Sequence, residues 1–130
     1  MIDAELLQRL RTLLISIGGI RLAIVFGSVA RGTARNDSDI DIAALLDRPL
    51  SPLEKASLIE EVAKACGRPV DLIDLRTAGE PLLGEILKGE RVIGSDEDYA
   101  RLLTQHLLDA ADFLPLQQRI LKERRDAWIN

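Results

Sequence analysis

Residues 21–46 read as two short apolar runs separated by a polar hinge: RLAIVF, then GSVARGTARND, then SDIDIAALL. Neither run is long enough for a buried helix, and both are rich in Ile, Val and Leu, so each reads as a strand. Arg21–Phe26 has almost no polar alternation, which suits a strand buried on both faces. Ser38–Leu46 alternates at its start. Strand periodicity turns Ile40 and Ile42 to one side and Asp39 and Asp41 to the other. A chain with this centre must build a sheet, and the flanking segments must cover it.

Those flanks are helical. Leu6, Leu10, Leu13 and Ile17 recur at helical spacing before Gly18-Gly19, which predicts an amphipathic helix over 3–17. Ser51-Pro52-Leu53-Glu54 is a helix start with a capping residue, a first-turn proline and a capping-box acid. Ala56, Ile59, Ala63 and Cys66 form the expected apolar stripe, ended by Gly67. Val70–Leu75 is a third strand, residues 81–88 a short helix closed by Gly89, and Arg91–Ile93 a candidate for one more strand. From Ser95 the pattern is helical again, with Tyr99, Leu102, Leu103, His106, Leu107, Ala110 and Phe113 on one stripe. Pro115 is expected to break it, leaving Leu116–Trp128 as a last helix. The order implies an α/β (α+β) fold, a three- or four-stranded mixed sheet flanked by helices with a helical C-terminal tail. Residues 1–95 are expected to form the core, and 96–130 a helical extension packed on the same single domain.

Bulk properties narrow the function. The chain of 130 residues suits one domain with a real core. Its net charge of −4 argues against a general nucleic-acid binder, which needs a basic surplus. Cys66 is the single cysteine and His106 the single histidine, which excludes an intramolecular disulfide, a cysteine zinc cage and a multi-histidine metal site. No apolar run approaches the ~20 residues of a membrane span, and MIDAELL lacks a signal-peptide n-region, so a cytoplasmic location is expected.

Asp39 and Asp41 then need a reason. Two carboxylates on one face of a strand repel each other, and one has its pKa raised unless a cation intervenes. Hard oxygen ligands suit Mg²⁺ or Mn²⁺. Asp71, early in the third strand, completes an acidic triad if that strand lies beside the second; Asp74, three residues on, faces the opposite side. Gly27-Ser28 ends the first strand, where glycine lets a phosphate approach the backbone and the N–H groups and Ser28 hydroxyl can cradle it. Taken singly, an Asp-x-Asp pair is usually just the solvated face of an edge strand, and a Gly-Ser pair usually just a turn. Residues 27–33 superficially match a P-loop but lack its lysine. Taken together, phosphate cradle and metal-binding acids are the equipment of nucleotidyl transfer.

An apolar residue, Gly27-Ser28, ten residues and Asp39-Ile40-Asp41-Ile42 resemble the signature of the DNA-polymerase-β-like nucleotidyltransferase superfamily. GSVARGTARNDSDIDIAAL followed by RPVDLIDLRTA is similar to the minimal nucleotidyltransferases of the MntA antitoxin type, over most of residues 1–95. In the tail only the DFLP segment is suggestive. The resemblance implies the nucleotidyltransferase fold, with Gly27 and Ser28 holding the β- and γ-phosphates of ATP. It implies two Mg²⁺ ions on Asp39 and Asp41, with Asp71 holding the catalytic metal and helping to deprotonate the acceptor. It also implies transfer of AMP to a tyrosine hydroxyl of a partner HEPN-domain toxin, a ribonuclease, which is thereby silenced. A tyrosine pKa near 10 makes such assistance chemically sensible.

Two other readings stay open: a small hydroxylated acceptor such as an aminoglycoside, and neutralisation of a partner by binding alone, in a homo- or hetero-oligomer. Arg31, three residues past Ser28, can reach a bound triphosphate or pair with Asp37. Asp37 itself sits in turn chemistry (Asn36-Asp37-Ser38) and is left out of the metal site. His106 and Cys66 read as packing residues, and the mixed charges Arg119, Lys122, Glu123, Arg124, Arg125 and Asp126 as a solvated face or a docking face for an acidic partner.

Overall fold

In a computed structural model the chain is described over residues 2–35 and 38–129, with the side chains of 112–117, 128 and 129 outside the description. Helix α1 (Ala4–Ile17) begins where the Asp3 side chain accepts a hydrogen bond from the Glu5 N–H, and it buries Leu6, Leu10 and Leu14. Strand β1 (Ile20–Phe26) follows, buried from Leu22 onward. The one-turn α2 (Gly27–Arg31) leads towards β2 (Ile40–Leu46). Helix α3 (Pro52–Cys66) has the predicted capping box, Ser51 and Glu54 each bonding the other's backbone N–H. Then come β3 (Val70–Asp74), α4 (Leu82–Leu87), β4 (Glu90–Ile93) and α5 (Asp96–Ile129).

The sheet order is β3-β2-β1-β4, with β2 and β3 parallel and the other pairs antiparallel. This is a mixed sheet of the expected α/β (α+β) class, with four strands where three or four were expected, and a helical C-terminal segment. The central strand β1 serves two cores by alternation. Ala23 and Val25 face α1 and α3, joining Leu10, Leu14, Ile40, Ile42, Leu58 and Val62. Leu22, Ile24 and Phe26 face the other way, onto Leu83, Ile86 and Leu102 of α4 and α5. The α4–β4 turn closes directly over the end of β1: a Cβ at Gly89 would collide with the Val25 carbonyl and crowd Phe26.

Three expectations change. β2 starts at Ile40, because Ser38 belongs to a turn in which its N–H bonds the Arg35 carbonyl and its hydroxyl accepts from the Arg35 N–H. On α3 the buried pair is Leu58 and Val62, flanked by Ile59 and Cys66, whereas Ala56 is exposed; the larger side chains take the core. Helix α5 runs unbroken through position 115. A mid-helix proline costs about 3 kcal/mol locally, whereas a break would require a second nucleation.

Among the described side chains, those of α5 that touch the body of the molecule lie in its first three turns. Arg21 pairs with Asp98 at 2.9 Å, Arg91 pairs with Asp96 at 2.9 Å and lies over the Tyr99 ring, and Leu102 is buried. From Ala111 on, every described side chain is exposed. Among the described residues no helix is long and apolar enough to cross a membrane.

Candidate active site

The strand ends bring the acids together. Phe26, the last residue of β1, pairs with Asp41 of β2, and Asp41 pairs in parallel register with Asp71 of β3. The register is pinned one residue earlier, where the Ile40 N–H bonds the Pro69 carbonyl at 2.9 Å. Since Phe26 faces the α4/α5 core, Asp41 and Asp71 lie on that face of the sheet, beyond its apolar floor. Asp39 is one residue ahead of β2, exposed, as is Asp71; Asp41 is half-buried. Asp74 pairs with Ala44, on the opposite face, and its carboxylate accepts from the Arg76 N–H at 2.9 Å.

Gly27 stands against this cluster with φ +75°, and a Cβ there would overlap the Asp41 Oδ2. Glycine is thus required twice at one position, by the left-handed backbone and by the carboxylate packed on it. The Gly27-Ser28 pattern by itself points to a phosphate role alone. No local signal reveals the second role, because its partner is fourteen residues away in the chain and adjacent only across the β1–β2 pair. Ser28 is half-buried, and its carbonyl accepts the Thr33 N–H at 3.0 Å as the chain leaves α2 through Gly32 in the left-handed region.

Burial raises the Asp41 pKa above the ordinary carboxylate value, Asp71 and then Asp39 raise it further, and Arg31 pulls it down. Asp39, Asp71 and Arg31 therefore all act on one carboxylate. The alternative pairing of Arg31 with Asp37 falls on a residue outside the described ones. Among the described residues no three His, Cys, Asp or Glu side chains are already gathered as metal ligands. The donor chemistry nevertheless fits a hard divalent cation: three carboxylates at or beside adjacent strand ends, with the pKa of Asp41 raised by burial and by its acidic neighbours. His106 lies elsewhere, its Nδ1 against the buried Glu80 carboxylate at the α4–α5 contact. Cys66 is half-buried at the end of α3, its thiol pKa raised by that burial.

Residues 8–98 match the family described as polymerase beta, nucleotidyltransferase. The protein adenylyltransferase MntA of Shewanella oneidensis is 34% identical over 84 residues, 64% of this chain and 60% of that protein, so the match spans less than two thirds of the relative. The crystal structure of a toxin–antitoxin with AMP-PNP superposes with a TM-score of 0.78 at 29% identity, covering 92% of this chain and 98% of that one. A MntA–HpeT toxin–antitoxin structure, in which two aspartates are replaced by glutamate, gives 0.79 at 27% identity over the same shares.

Proposed function

The chain belongs to the polymerase-beta nucleotidyltransferase family, and from that premise we propose that it transfers AMP from ATP to a tyrosine hydroxyl of a partner HEPN toxin, acting as its antitoxin in the cytoplasm. The observation that carries this reading is the register Phe26–Asp41–Asp71, which aligns three strand ends next to Gly27-Ser28. The name of the Shewanella relative and the AMP-PNP bound by the similar toxin–antitoxin support the nucleotide and the kind of partner.

Gly27 and Ser28 would hold the β- and γ-phosphates, with the Arg31 guanidinium adding charge and donors on the same side. Asp39, Asp41 and Asp71 would hold Mg²⁺, two ions in all, whose chemistry when bound is to neutralise the triphosphate and polarise the acceptor oxygen. The acceptor oxygen attacks the α-phosphorus in line with the α–β bridging oxygen. One O–P bond forms, the bond to the bridging oxygen breaks, pyrophosphate leaves, and the hydroxyl proton passes to Asp71. Residues 1–95 would carry this chemistry, with 96–130 as the helical extension of the same domain.

The test incubates the purified chain with α-labelled ATP, Mg²⁺ and its toxin. Label on a toxin tyrosine, lost in the Asp41→Asn and Asp71→Asn variants, is the expected result; an unlabelled toxin overturns the proposal. If the Asp39→Asn/Asp41→Asn double variant still protected cells as well as the wild type, neutralisation would proceed by binding alone.

A further inference from the structure

The strands that carry Asp41 and Asp71 also carry a second feature, three residues further along and towards the other face of the sheet. Ala44 and Asp74 pair there, about 10 Å from the acids at strand rise. Beyond them opens a cleft of about 450 Å³ between the β2–α3 connection, the start of α3 and the end of β3. That volume is in the range of small-molecule sites. Its position, outside the carboxyl ends of two parallel strands, is where open sheets with crossover helices collect ligands.

The lining has two parts. Leu46, Leu50, Leu72 and Ile73 make an apolar floor, and Arg48, Lys55 and Arg76 stand around it with one carboxylate, Asp74. In a chain of net charge −4 this is a local inversion of sign. Arg76 is already oriented, its Nη2 donating to the Leu46 carbonyl at 2.6 Å, and the Asp74 carboxylate is engaged by the Arg76 N–H rather than by the cations. Arg48 is paired with Glu54. The Lys55 ammonium has no ion-pair partner among the described residues.

An apolar floor with a pre-oriented guanidinium and an uncompensated ammonium selects one ligand chemistry. We propose that this cleft binds a small organic anion, a phosphate or carboxylate carried on an apolar ring, at a site separate from the acidic one. The floor takes the ring, Arg76 supplies fixed donors, and Lys55 supplies a mobile charge.

Phenyl phosphate is a direct probe, titrated into the full-length protein and followed by amide chemical shifts. Saturable shifts at Ala44, Leu72 and Thr77 are expected, with affinity about tenfold or more above that of inorganic phosphate or benzyl alcohol, which each carry half of the recognised chemistry. Lys55→Glu, at an exposed position, should weaken binding by about tenfold or more without lowering the melting temperature. The Asp39→Asn/Asp41→Asn variant should bind as the wild type does, even if no AMP transfer is ever detected. The proposal is overturned by the absence of saturation, by shifts confined to Gly27 and Ser28, or by wild-type affinity in Lys55→Glu.

Discussion

Asp41 pairs with Phe26 on one side and Asp71 on the other, so its carboxylate loses water and gains the field of two more acids. A carboxylate with a raised folded-state pKa contributes stability only while protonated, and loses it as pH rises through that pKa. At neutral pH its charge therefore works against the fold. Asp41→Asn should raise the melting temperature near neutral pH, and the gain should fade as acid protonates the wild-type side chain; melts across about pH 4 to 8 measure it. Gly27→Ala should act in the opposite sense. The left-handed backbone costs a non-glycine residue about 1–2 kcal/mol, and the new methyl meets the Asp41 carboxylate. The second cost should vanish in an Asp41→Ala background while the first remains. Denaturant unfolding of the four proteins in that cycle would show two changes that are not additive; strict additivity would mean that the carboxylate simply swings away.

Among the elements, α3 decides where β3 lies, because it is the crossover that makes β2 and β3 parallel. Its start depends on Ser51 and Glu54, and the Arg48 guanidinium, followed by the Ser51 N–H, brings the Glu54 pKa down to about 2. Ser51→Ala should cost about 1 kcal/mol by equilibrium unfolding. The lowered pKa gives the pH sense: the Glu54 contribution is complete above the ordinary carboxylate range and is lost as pH falls towards about 2. The capping box was legible because all of its chemistry lies within four adjacent residues. The buried face of α3 was less so. Ala56 and Ala63 fit a stripe as well as Leu58 and Val62 do by spacing, and only packing against α1 and β3 selects the larger pair. The start of β2 was hidden for a related reason, since Ser38 alternates correctly with Ile40 yet spends its hydrogen bonds on Arg35.

For the molecule as a whole, the Gly27-Ser28 and Asp39-x-Asp41 motifs were readable as local patterns, but the register of Asp71 on Asp41 exists only once the sheet has formed. The same holds for α5. Proline at 115 predicted a stop because local propensity counts one lost hydrogen bond, whereas the helix runs unbroken through that position over a total of 34 residues, about 50 Å at standard rise. Its two ends have different relations to the core. Leu102 is 6% exposed and Tyr99 lies against Leu87 and Arg91, while Leu107 and Leu121 are 61% and 58% exposed. Burial predicts separable effects on stability. Leu102→Ala removes a packed side chain and should cost about 2–4 kcal/mol in chemical denaturation. Removing residues 118–130 deletes only exposed side chains among those described, so stability should change by about 0.5 kcal/mol or less. A truncated protein destabilised as much as Leu102→Ala would show instead that the distal helix supports the core, and the apolar residues along it would then have to be counted as part of the fold.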